Sequence, residues 1–444
     1  SGVFFDKSSN VCLGHRRLSI IDLSDNGHQP MTESSGRYTI VFNGEIYNYR
    51  ELYNSLSSKG YSFFSQSDTE VILNAYSEWG EECVYHLNGM FAFAIWDRQE
   101  RTLHLVRDRL GIKPLYFGFS RGTFLFGSEL KALQAHQDFD AKIDRDALAL
   151  FFRHNDIPAP HTIFQGIRKL HPGTILTLSG SDAEPQFKTY WDAWQVAETG
   201  SISRFAGSYT EAVEELESLL HDAVGIRLLS DVPLGVFLSG GIDSSTVVAL
   251  MQTQCERPVR SFSIGFSETG YNEAQHAKAV AKHLGTDHSE LYVTPQQAQA
   301  VIPTLPTIYD EPFADSSQIP TFLVSQLARG NVTVSLSGDG GDELFSGYNR
   351  YIWGARTWCN IARIPTALRS LAGSMLTLLS EKQWNTIYSY GERMVPARFH
   401  MQSPGRNMHR LATLLNVTNE RELYHGLVTH WEQPDKLVLG SREP

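Results

Sequence analysis

In the first third of the chain, short runs of apolar residues are broken by Gly, Asp and Arg clusters. Residues 37–43 (Arg-Tyr-Thr-Ile-Val-Phe-Asn) combine β-branched and aromatic side chains and lead into Asn43-Gly44, predicting a strand that ends in a turn. Residues 49–59 and 68–79 repeat apolar side chains at helical spacing. Further short apolar runs at 90–97, 103–107, 114–118 and 123–127 predict strands. Strands on both sides of a helix pair predict a layered α+β sandwich.

The texture changes after a polar stretch at 197–208, which is expected to link two domains spanning 1–196 and 209–444. Helices are predicted at 211–229, 244–254 and 273–284, and strands at 235–238, 260–266 and 333–336. Such β–α alternation predicts an α/β domain built on a parallel sheet covered by helices.

Composition narrows the function. Of 444 residues, 41% are hydrophobic and 20% charged, which excludes wholesale disorder. The balance of 38 Lys plus Arg against 49 Asp plus Glu, a net charge of −11, speaks against nucleic acid as a partner while leaving room for one small polyphosphate. No apolar run is long enough for a membrane-spanning helix, so no membrane association is expected. Four cysteines without CxxC spacing suggest neither a zinc site nor a disulfide framework and fit a reducing, cytoplasmic setting.

The sharpest chemical signal is Ser239-Gly240-Gly241-Ile242-Asp243-Ser244-Ser245, placed between an apolar strand and a helix. Glycines let backbone approach an anion, and free amides and hydroxyls at a helix start meet phosphate oxygens. The loop lacks the Gly-Lys-Ser/Thr ending of kinases and GTPases. A second glycine–acid segment, Ser337-Gly338-Asp339-Gly340-Gly341-Asp342-Glu343, follows the apolar run at 332–336. In the first half, Gly14-His15-Arg16-Arg17-Leu18-Ser19-Ile20-Ile21-Asp22, Asn43-Gly44-Glu45-Ile46-Tyr47-Asn48 and Ser67-Asp68 stand in series.

Together these segments resemble the glutamine-hydrolysing asparagine synthetase family, whose glutaminase domain of N-terminal-nucleophile hydrolase type precedes a synthetase domain of ATP-pyrophosphatase type. The resemblance implies small-molecule substrates: glutamine, aspartate and ATP, with Mg²⁺. For ATP it implies Ser239, Gly240, Gly241, Asp243, Ser244, Ser245, Ser337 and Gly338, with Phe237 and Ile264 acting through backbone near the adenine. Asp243 and Asp342 would hold Mg²⁺, hard carboxylates on a divalent ion that neutralises phosphate. Asp339 would be catalytic, although relatives carry Glu there and its reach is one methylene shorter. Asp310 to Ser317 resembles a segment facing the acceptor site. In the glutaminase half, Arg17 would take the glutamine carboxylate and Asp68 the ammonium, with Leu18, Ser19, Ile20, Ile21 and Glu45 lining the site. Asn43 and the Gly44 amide would form an oxyanion hole.

The family's nucleophile is an N-terminal cysteine, placed further before Gly14 than 13 residues allow. Neither Ser1 nor Cys12 is expected to replace it, and the chain is expected to be part of a longer one. The resemblance leaves a homodimer open. It also leaves the same machinery acting on another carboxylate, such as a uronic acid, or a non-catalytic homologue.

Overall fold

The computed structural model describes residues 1–180, 184–266, 273–391 and 403–444. The chain divides into two compact units, one of Ser1–Phe151, Asp156–Gly338 and Pro444, the other of Phe152–Asn155 and Asp339–Glu443.

Eleven strands are described before residue 190: β1 Gly2–Asp6, β2 Val11–His15, β3 Met31–Thr32, β4 Tyr38–Ile46, β5 Gly89–Asp97, β6 Thr102–Arg107, β7 Tyr116–Ser120, β8 Thr123–Gly127, β9 Ile167–Lys169, β10 Thr174–Ser179 and β11 Gln186–Thr189. Six form an antiparallel sheet in the order β11-β10-β6-β5-β4-β3, and β8-β7-β9 form a smaller one. Period-two alternation in β5 explains the layering. Phe91, Phe93 and Ile95 pack with helices Tyr49–Ser58 and Asp68–Trp79 on one face. Ala92, Ala94 and Trp96 pack on the other face with Leu13 of β2 and Phe117 of β7. The layered α+β sandwich expected from the sequence is therefore present, with the small sheet and the β1–β2 hairpin as its second cover.

The α/β portion holds four more strands, β12 Leu234–Phe237, β13 Arg260–Phe266, β14 Asp287–Val293 and β15 Val334–Leu336, parallel throughout in the order β14-β13-β12-β15. Val236 and Leu238 pack with Val248, Met251 and Ala277 from helices Ile242–Gln254 and Ala274–Leu284. Phe262 packs with Val324 and Ala328 of helix Gln318–Arg329 on the opposite face. The second unit is helical, comprising Gly341–Phe345, Asn349–Ile361, Thr366–Thr377, Glu381–Gly391, Pro404–Leu415 and Glu420–Val428 among its described helices.

Four sequence expectations need correction. The strand at 37–43 does not end at Asn43-Gly44. It runs to Ile46, and Asn43 and Gly44 pair with Ala92 and Phe91. Nine cross-strand pairs with β5 override the local turn preference, and glycine is required because a Cβ at Gly44 would lie 2.2 Å from the Met90 carbonyl. The strand expected at 114–118 is Tyr116–Ser120, shifted to pair with β8 and β9. The polar stretch at 197–208 is helical up to Ile202, within a helix Ala193–Ile202 whose N-cap Asp192 accepts from Gln195 N. β14 gave no sequence signal, being rich in polar residues, and exists by pairing over seven residues with β13. The helix expected at 211–229 is Tyr209–Ile226, started by a capping box between Ser208 and Glu211.

Asp108 joins the turn after β6 to the main sheet. It is 1% exposed, and its carboxylate accepts from the amides of Leu110, Ile112, Lys113 and Phe91 at 2.9–3.2 Å. Asp108→Ala leaves four amides without their acceptor, the buried Phe91 amide among them, and is expected to cost roughly 2–4 kcal/mol in chemical denaturation, with Asp108→Asn losing less. A variant as stable as the parent would show that these amides find other partners.

Candidate functional site

A cavity of about 530 Å³ lies beside β4 and collects Arg17, Leu18, Ile20, Ile21, Asn43, Gly44, Glu45 and Asp68. Ser19, expected with them, does not line it. The Arg17 guanidinium is held by the Ile21 carbonyl at 2.6 Å and packs on Gly27, where a Cβ would stand 2.6 Å from both terminal nitrogens. Asp68 opens helix Asp68–Trp79, behind Ser67, whose hydroxyl caps Thr69 N. Its carboxylate accepts from Ile46 N at 3.1 Å.

The electrostatics follow from burying two acids together. Burial pushes the Asp68 carboxyl up to about 6, opposed by the Ile46 amide and the Arg17 charge. Burial first, and then the Asp68 charge, lift Glu45 to about 7, while Lys113 and Arg227 pull it back. Burial also lowers Lys113. The cavity thus offers a fixed cation near Ile21 and carboxylates near Ile46, a pattern suited to a small zwitterion. The Asn43 amide nitrogen donates one hydrogen to Ser128 Oγ at 3.0 Å, and an amide carries two.

Sequence reasoning missed His15, Gln29, Lys113 and Ser128, all on the cavity wall. Lys113 follows β6, outside the segments that carry the family resemblance above. A lone lysine after Gly111-Ile112 is a weak signal, and only the Asp108 turn carries it inward. His15 Nδ1 is buried without a hydrogen-bond partner among the described residues, and burial lowers its basicity.

The second candidate lies at the carboxyl ends of β12 and β15, where open α/β sheets place ligands. After β12, the Ser239 hydroxyl accepts from Gly241 N at 3.2 Å and lies 2.9 Å from Ser244 Oγ. Gly240 has φ +83°, and a Cβ there would stand 2.6 Å from Ala277 N. A Cβ on Gly338, two residues past β15, would stand 2.7 Å from Ser244 N. The two loops therefore meet backbone to backbone at the start of helix Ile242–Gln254, which has no side-chain cap. The Ser245 hydroxyl is buried there with no hydrogen-bond partner among the described residues. An orphaned hydroxyl, a glycine cradle and Asp243 in the first helical turn fit a phosphate accompanied by a divalent cation.

Phe237 ends β12 and Ile264 lies in β13, and both side chains pack against the Phe262 cluster. Ser337 precedes Gly338. Asp339 and Asp342 belong to the second unit, where Gly340 (φ +91°) caps helix Gly341–Phe345 and Asp342 lies in its first turn. Asp310 and Glu311 are engaged by the first half of the chain: Asp310 accepts from Leu130 N and pairs with Lys131 at 3.1 Å, and Glu311 pairs with Lys169.

A parallel sheet bearing a glycine-cradled loop, behind an antiparallel sandwich with a zwitterion-sized cavity, defines a two-part architecture. Comparison with known families gives each part a counterpart: the glutamine amidotransferase domain family matches residues 1–191 and the asparagine synthase family residues 215–443. The chain belongs to the asparagine synthase family. It is 40% identical to asparagine synthetase [glutamine-hydrolyzing] 1 of Bacillus subtilis over 79% of this chain and 53% of that protein. It is also 40% identical to putative asparagine synthetase [glutamine-hydrolyzing] 2 of Methanocaldococcus jannaschii over 83% of this chain and 73% of that protein. A protein named amidase chry2 in Gibberella zeae is 31% identical over 79% of this chain and 53% of its own length. The chain spans about half the length of several curated relatives it matches. No helix among the described residues is long and apolar enough to cross a membrane.

The raised acids predict a pH dependence. Between its ordinary value near 4.5 and about 7, Glu45 holds more protons folded than unfolded, so its contribution to stability falls as pH rises through that window. Glu45→Gln is expected to remove up to about 3 kcal/mol of that loss, so denaturation curves of parent and variant should diverge from pH 5 to pH 8, the variant being the more stable. Parallel curves would mean that Glu45 ionises freely in the fold.

Proposed function

We propose that this protein transfers amide nitrogen from glutamine to the β-carboxylate of aspartate at the expense of ATP, forming asparagine, AMP, pyrophosphate and glutamate. The observation that carries the reading is the anion cradle of Gly240, Gly338 and the unsatisfied Ser245 hydroxyl, present in the same chain as a cavity built for a zwitterion. Residues 1–196 form the glutaminase part and 209–444 the synthetase part.

In the cavity, Arg17 takes the glutamine α-carboxylate and Asp68 the α-ammonium. Asn43, steadied by Ser128, turns its second amide hydrogen to the tetrahedral intermediate, with the Gly44 amide beside it. The Ser239–Ser245 loop presents backbone amides, the Ser245 hydroxyl and the positive end of its helix to the ATP phosphates. Asp243, joined on sequence grounds by Asp342, is assigned to Mg²⁺, which neutralises phosphate charge when bound. Asp339 is assigned to acyl-adenylate formation on the same grounds.

With ATP, Mg²⁺ and ammonia, pyrophosphate release is expected only when aspartate is added. Release with a sugar acid and silence with aspartate would move the acceptor.

Asp243→Asn and Asp342→Asn are each expected to lower pyrophosphate release by roughly a hundredfold or more while circular dichroism stays unchanged. Near-parental release from either variant would remove that residue from the metal assignment.

A further inference from the structure

The connection between helix Tyr209–Ile226 and β12 reaches the glutamine cavity at two points that substrate chemistry does not itself require. Asp231 Oδ2 accepts from Asp22 N at 2.8 Å, and Asp231 N donates to the Ile20 carbonyl at 3.1 Å. Arg227 lays its guanidinium 4.3 Å from the centre of the Tyr47 ring, and its charge also bears on Glu45. Residues of the synthetase half thus grip both Ile20–Asp22 and Glu45–Tyr47.

Asp22 is the hub of that grip. It is buried and holds φ +56°, a left-handed conformation that a non-glycine residue keeps only when its surroundings impose it. Its carboxylate accepts from Ser24 N at 3.0 Å, Ser24 Oγ at 2.6 Å and Gln66 N at 2.9 Å. Gln66 stands two residues before Asp68, and Ile21, the neighbour of Asp22, supplies the carbonyl that holds Arg17. Asp22 therefore links the two poles of the zwitterion clamp, and Asp231 fixes the backbone of Asp22.

The other end of the connection leads to the phosphate loop. Two residues after Asp231, the Pro233 carbonyl accepts from Thr333 N at 2.9 Å, just before β15. After Pro233 the chain passes through β12 to Ser239, and after Thr333 through β15 to Ser337 and Gly338. One short stretch thus anchors both strands whose loops meet in the anion cradle.

We propose that Asp231, supported by Arg227, is a positioning residue that couples the phosphate loop to the glutamine clamp. The proposal rests on the reading above that the cavity takes glutamine. Filling the cradle stiffens β12 and β15, and Asp231 carries that order to Asp22, Arg17 and Asp68. By linkage, glutamine favours nucleotide to the same degree.

Calorimetry on the full chain tests this with glutamine, in the presence and absence of Mg²⁺ and a non-hydrolysable ATP analogue. The parent is expected to bind glutamine several-fold tighter with the analogue. Asp231→Ala should weaken glutamine by about tenfold, the loss of one charge-assisted hydrogen bond, and erase the effect of the analogue. Its affinity for the analogue alone should stay within about twofold. Asp231→Asn keeps an acceptor oxygen and should restore the coupling, which a merely structural role would not predict. Amide exchange gives a readout independent of glutamine: the Asp22 and Gln66 amides should slow when the analogue is added to the parent and fail to slow in Asp231→Ala. If the parent binds no glutamine, the reading of the cavity fails while exchange still decides the coupling. Unchanged glutamine affinity or unchanged Asp22 and Gln66 exchange in Asp231→Ala overturns the proposal.

Discussion

Keeping charge inside a low-dielectric pocket is the constraint on which the first half of the molecule depends. Asp68 and Glu45 are buried together, and a carboxylate taken out of water must find amides or cations. The fold supplies both. Ile46 N meets Asp68, Arg17 is clamped between the Ile21 carbonyl and Gly27, and the Asp108 turn brings Lys113 inward. The compensation is incomplete, since both acids stay above the usual carboxylate range.

The loops after β12 and β15 obey a different constraint, backbone proximity. Phosphate is recognised by amides, and amides converge only where no side chain stands between them. Gly240 against Ala277 and Gly338 against Ser244 are the two points at which any Cβ would force the loops apart. Parallel strands meet that need because β12 and β15 end side by side, delivering their loops to one place. Both sites therefore depend on sheet register more than on local loop chemistry.

Much of this was legible in the chain. The short apolar run at 90–97 and the helical spacing at 68–79 were enough to foresee the sandwich, because a strand buried on both faces leaves an unbroken apolar run and a helix packed on a sheet leaves a period near 3.6. Strand–glycine–helix order at 235–254 was enough to foresee a tight glycine loop between β12 and its helix, since Gly240 has φ +83° and a Cβ there would stand 2.6 Å from Ala277 N. Arg17, Asn43 and Asp68 were legible as a series of segments, and the fold gathers them around one cavity.

What the sequence by itself determined was therefore residue type and period: which stretches alternate, where glycine is needed and which charges are available. Tertiary structure decided the rest. Asn43-Gly44 is a turn by local preference and mid-strand in fact, because nine pairs with β5 outweigh two residues of propensity. β14 is polar and becomes a strand by lying beside β13. Lys113 and Asp231 have no local pattern, and their roles arise from partners 68 and 209 positions away, Glu45 and Asp22. Contacts between residues so far apart leave no periodic trace, because packing and hydrogen bonding act on distance in space while pattern records only distance along the chain.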